Sequence, residues 1–476
     1  MALDEIQEAQ TVDFQSTTAP AAGPPNEAPL EAAAADGTLT AEATEQSSVS
    51  LRGARDFWLV WSGQSVSMLG DGLYGIAMAW WITQELGSAT ALAGYALCWF
   101  IPSVTLPFIA GSLIDRTNRK TLIAIMDGAQ GLAVTALAAL LATGNLQLWQ
   151  VYAGAVILSA CSAIHGPALD SSIPNLVPEA ALARANGLYA TSGSVSNIAG
   201  PLFGGTLVGL VGLPVTMVIN ALSFWFATVA TLLAKIPSPK ADDGGGKSAF
   251  RKLVDDATYG YRWIWAHRAI LYLLLIFTTC NFLIAPTYPL EALIIKDRLA
   301  PNAESFGMSG AFVFGLVSGA MAVGTLIGAL FFSRGFAIKP MAWGVCIGWA
   351  IGGLAEIVFG LSTLVPLSLG VGLVIGVFGP LVNIPSQTIW MSYTPDAERG
   401  RIFAARRTIA WGIQPISIAM GGLLAEQIGP SALFVGSGLI ITVIALANLI
   451  FNKTIRTLYA PDLTPEATTR GLIYRR

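Results

Sequence analysis

Twelve apolar stretches make up most of this 476-residue sequence, and each is long enough to cross roughly 30 Å of hydrocarbon as a helix. Hydrocarbon offers no water to backbone groups, so such stretches fold as helices that satisfy their own hydrogen bonds. The sequence therefore predicts an all-α integral membrane protein with twelve transmembrane helices in two six-helix bundles. The predicted spans are 57–83, 89–113, 121–143, 148–166, 187–211, 213–235, 269–295, 306–333, 341–361, 364–391, 404–427 and 431–452.

The composition excludes several other classes of protein. Charged residues make up 12% of the chain, against roughly 25% in soluble domains, so a soluble fold could not cover its surface. The net charge is −3 and the basic residues form no dense block, so no nucleic-acid partner is predicted. Four cysteines inside apolar stretches and two histidines give no metal-ligand spacing. We predict no metal, no cofactor and no enzymatic activity, because clustered catalytic residues and a nucleotide-binding loop are not visible in the sequence.

The basic residues predict the orientation in the membrane. If the amino terminus is cytoplasmic, all 26 Lys and Arg residues except Lys296 and Arg298 fall in the tails and loops on the cytoplasmic side. This is the positive-inside pattern. We therefore expect a multi-pass protein of the cell membrane with both termini in the cytoplasm.

Polar segments predict the domain limits. The first segment, rich in Ala, Glu, Thr and Pro, is expected to be disordered. The segment between the bundles begins as a flexible linker and continues, over 249–265, as an amphipathic helix on the membrane surface or as a plain connector helix. The predicted divisions are a cytoplasmic tail 1–54, a first bundle 55–236, a cytoplasmic linker 237–268, a second bundle 269–455 and a cytoplasmic tail 456–476.

The two halves share a spaced pattern. Pro178 precedes Arg184 by six residues, and Pro395 precedes Arg401 by six residues, with a Gly-Pro pair upstream in each half. Two repeats of six helices would place a substrate cavity between them, near the middle of the membrane.

The connection between spans 2 and 3 carries a charged motif, Gly-Ser-Leu-Ile-Asp-Arg-Thr-Asn-Arg-Lys, over residues 111–120. Charges at helix ends interact with the end dipoles, so this cluster can lock one arrangement of the helices. The motif resembles the signature of the major facilitator superfamily, with Asn118 in place of a glycine that takes a left-handed turn, which asparagine also tolerates. The resemblance implies a gating role for Gly111, Asp115, Arg116, Arg119 and Lys120. Asp127 in span 3 is expected to support this gate.

Span 5 carries a second motif, which is similar to the antiporter motif of the superfamily's exporters and implies export. A generic face for close helix packing is the alternative. The residues that match this motif are Gly187, Gly200, Pro201, Gly204 and Gly205.

Further stretches narrow the resemblance within the superfamily. They are Gly70-Asp71 in span 1, Pro178 with residues 182–186 after span 4, and residues 220–224 in span 6. Together they resemble the exporter branch that contains macrolide-efflux proteins and the enterobactin exporter. The resemblance covers residues 55–455.

Ionisable residues inside spans are costly and are therefore functional candidates. Asp71 lies 14 residues into span 1, which is about 21 Å along a helix axis. We predict that it takes up a proton from outside and releases it inside; a structural Asp bonded to a neighbouring helix is the alternative. Glu356 in span 9 is a second candidate for proton coupling or for a structural role. Asp170 and His165, near the inner end of span 4, are expected to be solvated.

Aromatic and amide side chains at mid-span are candidates for an amphiphilic substrate cavity, although such side chains also pack helices together. The candidates are Gln64, Tyr74, Trp99, Trp225, Asn281, Trp349, Trp411 and Gln414.

The sequence as a whole predicts a monomeric secondary active transporter that works by alternating access. We expect its partners to be protons, the lipid bilayer and a small amphiphilic substrate, such as a drug, an antibiotic or a siderophore, which it exports. Import or flipping of a nutrient or lipid by the same fold is the alternative.

Overall fold

Helices joined by short turns follow the predicted apolar stretches. The structure is a computed structural model that describes residues 51–237, 258–334, 338 and 340–456. Residues 1–50 and 457–476 of the predicted tails, and most of the linker, lie outside the described residues. The first six membrane helices are α1 (Arg55–Glu85), α2 (Ala89–Thr105, continued by Pro107–Arg116), α3 (Arg119–Ala142), α4 (Leu148–Asp170), α5 (Leu182–Val211) and α6 (Leu213–Leu233). The second six are α7 (Arg268–Ile284, continued by Thr287–Ile294), α8 (Gly310–Ser333), α9 (Met341–Leu361), α10 (Val365–Tyr393), α11 (Arg399–Gly412, continued by Gln414–Ile428) and α12 (Pro430–Phe451).

Ten helical stretches among the described residues are long and apolar enough to cross a membrane. Helices α1 and α2 complete the predicted twelve. Helix α1 has 31 residues, but polar side chains such as Gln64 and Asp71 lower its hydropathy. The first segment of α2 is apolar and has 17 residues, and Pro107 begins its continuation because a helix tolerates proline in its first turn.

Helix α7 differs most from its predicted span, 269–295. It is interrupted at Ala285-Pro286, since proline has no backbone N–H to donate and its ring crowds the preceding turn. The helix then resumes at Thr287, passes through a π-helical turn at Ile295–Leu299 and continues to Glu304. The predicted start of span 8 at 306 is therefore wrong by about one turn, as the Ser309 side chain caps α8 by accepting a bond from the N–H of Phe312.

Each group of six helices packs as a bundle, and two helix pairs make the most extensive contacts between the bundles. Within the first bundle α1 packs on α5 and α6, and within the second α8 packs on α10, and α9 on α12. Between the bundles, α5 packs on α8 and α2 packs on α11. A repeat of six helices makes α2 equivalent to α8 and α5 equivalent to α11, so the two contacts are related by the internal repeat. We call the side where α1 begins and α12 ends the terminal side, and the opposite side the distal side.

A linker helix at 258–266 precedes α7 and packs on the first segment of α11. A Cβ added at Gly260 would lie 2.7 Å from the Cβ of Ala405, so the two helices are in close contact. The guanidinium of Arg401 lies over the ring of Tyr259, 5.7 Å from its centre. The earlier part of the predicted surface helix, 249–257, lies outside the described residues.

Candidate functional site

A cavity of about 420 Å³ lies between the two bundles. Helices α1 and α2 line it from the first bundle, and α7, α8 and α11 line it from the second. Asp71 is the one acidic residue among the described residues that line it, and its buried Oδ1 atom has no hydrogen-bond partner among them. The remaining surface is largely aromatic, with Tyr95, Trp99, Tyr288 and Phe314. This central cavity therefore offers one carboxylate to an otherwise apolar ligand.

Two further cavities continue the central cavity towards the terminal side. A bridging cavity of about 180 Å³ shares Tyr288 and Gln414 with the central cavity. It shares Phe277, Asn383 and Trp411 with a third cavity of about 480 Å³, which we call the vestibule. The shared walls indicate a path from Asp71 to the terminal side.

Hydrogen bonds between the bundles close the distal side. Lys296 Nζ of α7 donates to the carbonyl oxygens of Thr83, at 2.6 Å, and Gln84, at 3.4 Å, at the end of α1. Glu426 Oε2 of α11 accepts a bond from the N–H of Thr90, at the start of α2, at 3.1 Å. The structure is therefore in a conformation that is closed on the distal side.

A buried polar cluster lies between α1, α3 and α4. Gln64 Nε2 donates to Asp127 Oδ2 at 2.9 Å, and His165 Nε2 lies 3.2 Å from Asp127 Oδ1. The side chains of Asp127 and His165 are 1% and 13% exposed, so the expectation of a solvated His165 is wrong. Gln64 was predicted to contact substrate, but it is buried against Asp127 and is not among the residues that line the central cavity. These partners of Asp127 also differ from the loop charges that the sequence analysis favoured.

Replacement of His165 by phenylalanine is expected to destabilise the protein, because it leaves the Asp127 carboxylate buried without a cationic or polar partner on that side. Removing one member of a buried charged pair costs on the order of 3 kcal/mol. Thermal unfolding of the purified protein in detergent measures the loss, and His267→Phe at the other histidine is the control. The double variant His165→Phe/Asp127→Asn should recover most of the lost stability, because no buried carboxylate is left unpaired. If the double variant were as unstable as His165→Phe alone, the pair would have no role in stability.

A second group of acidic residues lies in the second bundle, beside the break in α7. Glu356 of α9 is 3% exposed and accepts a bond from Thr287 Oγ1 at 3.5 Å. Its Oε2 atom is buried and has no partner among the described residues. Glu291, one turn further along α7, accepts a bond from Ser318 Oγ of α8 at 3.3 Å. Glu356 is thus close to the central cavity's α7 wall without being among the residues that line it.

The glycines of the span-5 motif differ in their surroundings. A Cβ added at Gly200 would lie 2.8 Å from the Cα of Gly72 in α1, and one at Gly205 would lie 2.7 Å from the Cα of Gly315 in α8. A Cβ at Gly204 would lie 3.1 Å from the Cα of Leu73. At Gly187, by contrast, no described atom lies within 4 Å of an added Cβ. Helix α5 continues unbroken through Pro201.

The motif between α2 and α3 joins two helices on the terminal side. Asn118 has a φ of −68°, so the expected left-handed turn is wrong at this position. Instead Asn118 caps α3, because its Oδ1 accepts a bond from the N–H of Thr121 at 3.2 Å. Arg119 Nη1 donates to the carbonyl oxygen of Ser171, just after α4, at 2.7 Å. The gating role of the motif stays a prediction.

The predicted substrate contacts divide between the three cavities and two other places. Tyr74, Trp99 and Gln414 line the central cavity, and Asn281, Trp349 and Trp411 line the bridging cavity. Trp225 instead lies in a separate groove between α3 and α6, where its Nε1 donates to Thr135 Oγ1 at 3.2 Å. Helical spacing places a side chain on a face but does not tell which neighbour that face meets, so the sequence could not place Trp225 and Gln64 relative to the three cavities. Substrate contact by any of these residues stays a prediction.

The sequence analysis missed several residues along the path. Tyr95 and Tyr288 line the central cavity, and Arg406 and Arg407 line the vestibule. Both arginines had been read only as part of the positive-inside pattern. Their position in the sequence could have identified them, because they lie in the first segment of α11. The internal repeat makes α11 equivalent to α5, and both helices lie where the two bundles meet.

The sequence profile of the Major Facilitator Superfamily matches residues 60–416 of the chain. The chain belongs to this family. Among its relatives, macrolide efflux protein A of Streptococcus pyogenes is 25% identical over 410 residues, which cover 83% of this chain and 96% of the relative. Multidrug efflux pump Tap of Mycobacterium tuberculosis is 26% identical over 418 residues, which cover 84% and 93%. The predicted membership of the superfamily, with efflux proteins as relatives, is confirmed.

Solved structures of superfamily members share the fold. The nucleoside transporter NupG has a TM-score of 0.63 at 13% identity, over 84% of this chain and 99% of that one. A bacterial homologue of the iron transporter ferroportin, in an inward-facing state, has a TM-score of 0.61 at 17% identity, over 83% and 98%. At such identities the likeness concerns the fold alone. The family membership and the apolar helices show that the chain is a multi-pass transporter embedded in a membrane.

Proposed function

We propose that this transporter exports a small amphiphilic molecule from the cytoplasm in exchange for protons. The observation that carries the proposal is the Asp71 carboxyl, which faces an aromatic cavity between the bundles with one oxygen unpartnered among the described residues. The efflux relatives and the span-5 motif favour export over import. With the terminal side in the cytoplasm, as the basic residues predict, the conformation closed on the distal side is the inward-facing one.

The proposed exchange takes place at Asp71. In the inward-facing state an ionised Asp71 attracts the polar or basic end of the substrate, while the aromatic walls hold its apolar body. In the outward-facing state a proton from outside neutralises Asp71 and weakens this attraction, because Coulomb energy falls away when one charge is lost. The substrate then leaves, and the proton is released inside after the conformation returns.

His165 and Asp127 act on the same carboxyl. Both interact electrostatically with Asp71, His165 favourably when it is protonated and Asp127 unfavourably. Because Asp127 lies beside His165, its charge opposes that of a protonated His165 at Asp71. In this proposal Asp71 exchanges substrate for a proton. The cluster of Gln64, Asp127 and His165 sets the electrostatic potential at the Asp71 carboxyl. Glu356 is a second site for proton exchange in this proposal.

Accumulation of fluorescent dyes and antibiotics in cells with and without the gene tests the proposal. We expect lower accumulation in the cells that carry the gene, and we expect an uncoupler to abolish the difference. A proton that moves through 100 mV supplies about 2.3 kcal/mol, and each pH unit supplies about 1.4 kcal/mol more. A difference that persists with the uncoupler would contradict proton coupling, and higher accumulation in cells with the gene would contradict export.

A further inference from the structure

The vestibule is rich in positive charge. It is lined by residues of α7, α10 and α11, all in the second bundle. Among them are the guanidinium groups of Arg406 and Arg407 and the amides of Asn383 and Gln387, and no carboxylate occurs among the described residues that line it. A cavity of about 480 Å³ is large enough for a small organic ligand.

Arg406 is held in a fixed position by neutral groups. Its Nη1 donates to Gln387 Oε1 at 2.8 Å, and its Nη2 donates to Ser386 Oγ at 3.2 Å. The guanidinium also lies over the rings of Trp390, at 4.9 Å, and Phe403, at 5.5 Å. The side chain is thus oriented before any ligand arrives, which reduces the entropy cost of binding.

Neither arginine of the vestibule has an anionic partner in the part of the chain that the structure describes. The ion pairs found there involve neither Arg406 nor Arg407. Arg407 is exposed and lies over the ring of Trp411, 5.7 Å from its centre. A charge within a membrane protein is costly unless it is paired or solvated, so two adjacent arginines that face one cavity favour an anion.

The alternative explanation is that both arginines only anchor α11 at the membrane surface, in keeping with the positive-inside pattern. Anchoring accounts for basic residues at this end of the helix. It does not account for Arg406 being turned between α10 and α11, where it bonds to two side chains of α10 and lines a cavity. A side chain that only anchors a helix reaches out to the lipid headgroups.

We propose that the vestibule binds the carboxylate or phosphate group of an amphiphilic molecule, with Arg406 and Arg407 paired to the anion. Guanidinium groups suit this role, because their fork of donors matches both kinds of anion. The aromatic ring of Trp411 contacts the apolar part of the molecule and continues into the bridging cavity. A molecule that moves on from this site to Asp71 must carry a basic group as well, because the Asp71 carboxylate repels an anion. This place on the substrate path rests on the proposed function, whereas the binding of an anion does not.

The full-length protein in phosphatidylcholine nanodiscs provides the test, with tritiated 2-naphthoate as the probe and neutral 2-naphthamide, of the same shape, as its comparison. We expect naphthoate to bind about tenfold more tightly, since a hydrogen bond to a charged group contributes about 1.5 kcal/mol or more. Arg407→Gln and Arg406→Gln should each remove most of this preference. Arg399→Gln is the matched control, because Arg399 lies on the same helix, pairs with Asp396 and does not line the vestibule.

Equal binding of the two probes to the unchanged protein, or a preference that survives both vestibule variants, would overturn the proposal. Nanodiscs that also contain phosphatidylglycerol distinguish two sources of the anion. Loss of naphthoate binding there identifies a lipid headgroup as the occupant, and unchanged binding identifies a soluble ligand. Transport is not needed for this measurement, so absence of efflux with intact anion binding would count against the proposed function alone.

Discussion

Replacement of Asp71 by asparagine is expected to abolish proton-driven export while the protein still folds and inserts into the membrane. Asparagine has nearly the same shape as aspartate but cannot exchange a proton under these conditions. The Oδ1 atom of Asp71 has no hydrogen-bond partner among the described residues, so the change should cost little stability. One proton that moves through 100 mV supplies about 2.3 kcal/mol, which sustains a roughly 40-fold substrate gradient. In the variant this gradient should fall to about one.

Proteoliposomes with an imposed proton gradient allow the measurement. Asp170→Asn is the matched control, because Asp170 is exposed at the terminal end of α4 and should not affect transport. Exchange of labelled for unlabelled substrate without a gradient should continue in Asp71→Asn at saturating substrate concentration, since exchange needs the cavity but no proton. Its half-saturating concentration should rise, because the attraction between the carboxylate and the substrate is lost. Full gradient-driven export by the variant would exclude Asp71 as the coupling residue. Loss of exchange even at saturating substrate concentration would instead assign Asp71 a structural role.

The sequence predicts the helices of this protein well because crossing a membrane is a property of a single stretch of chain. Length and hydropathy alone predict the limits of α8, α9 and α10 to within about four residues of the observed ones. The break in α7 needs more than hydropathy. Pro286 is visible in the sequence, but membrane helices often continue past a proline when neighbouring groups satisfy the freed backbone.

The partners of polar residues were harder to predict, because they depend on which helix faces meet. Gln64 and Asp127 are 63 residues apart in the chain, yet they share a hydrogen bond. Depth within the membrane would have been a useful signal. Gln64, Asp127 and His165 lie nine, eight and five residues from the terminal ends of their helices, which places them at similar depths. Sequence reasoning that compared depths would have grouped them.

The central cavity illustrates both outcomes. Asp71 was identified from the free-energy cost of burying a carboxyl group in the middle of a membrane span, since such groups are usually functional. Trp225 was chosen as an aromatic side chain at mid-span, but it lies in the groove between α3 and α6. An aromatic side chain costs nothing on either face of a membrane helix, so its position carries less information than that of a charge.

Replacement of Gly205 by alanine is expected to reduce transport strongly, although the change adds only one methyl group. The new Cβ would lie 2.7 Å from the Cα and 2.8 Å from the N of Gly315, and backbone atoms cannot move aside as a side chain can. Helices α5 and α8 would have to separate, and overpacking of this kind costs about 1–3 kcal/mol. Because these helices join the bundles, the cost falls on the conformation that is closed on the distal side.

A penalty of about 1–3 kcal/mol shifts a conformational equilibrium roughly 5- to 150-fold. A cysteine at position 83, in a chain whose four native cysteines are replaced by alanine, reports this shift, because Thr83 is fully buried beside the distal contact with Lys296. We expect an impermeant thiol reagent to label it faster in Gly205→Ala. Gly187→Ala should change neither labelling nor transport, since its methyl group meets no described atom. If the two glycine variants behaved alike, the span-5 motif would act through a general property of α5 and not through its contact with α8.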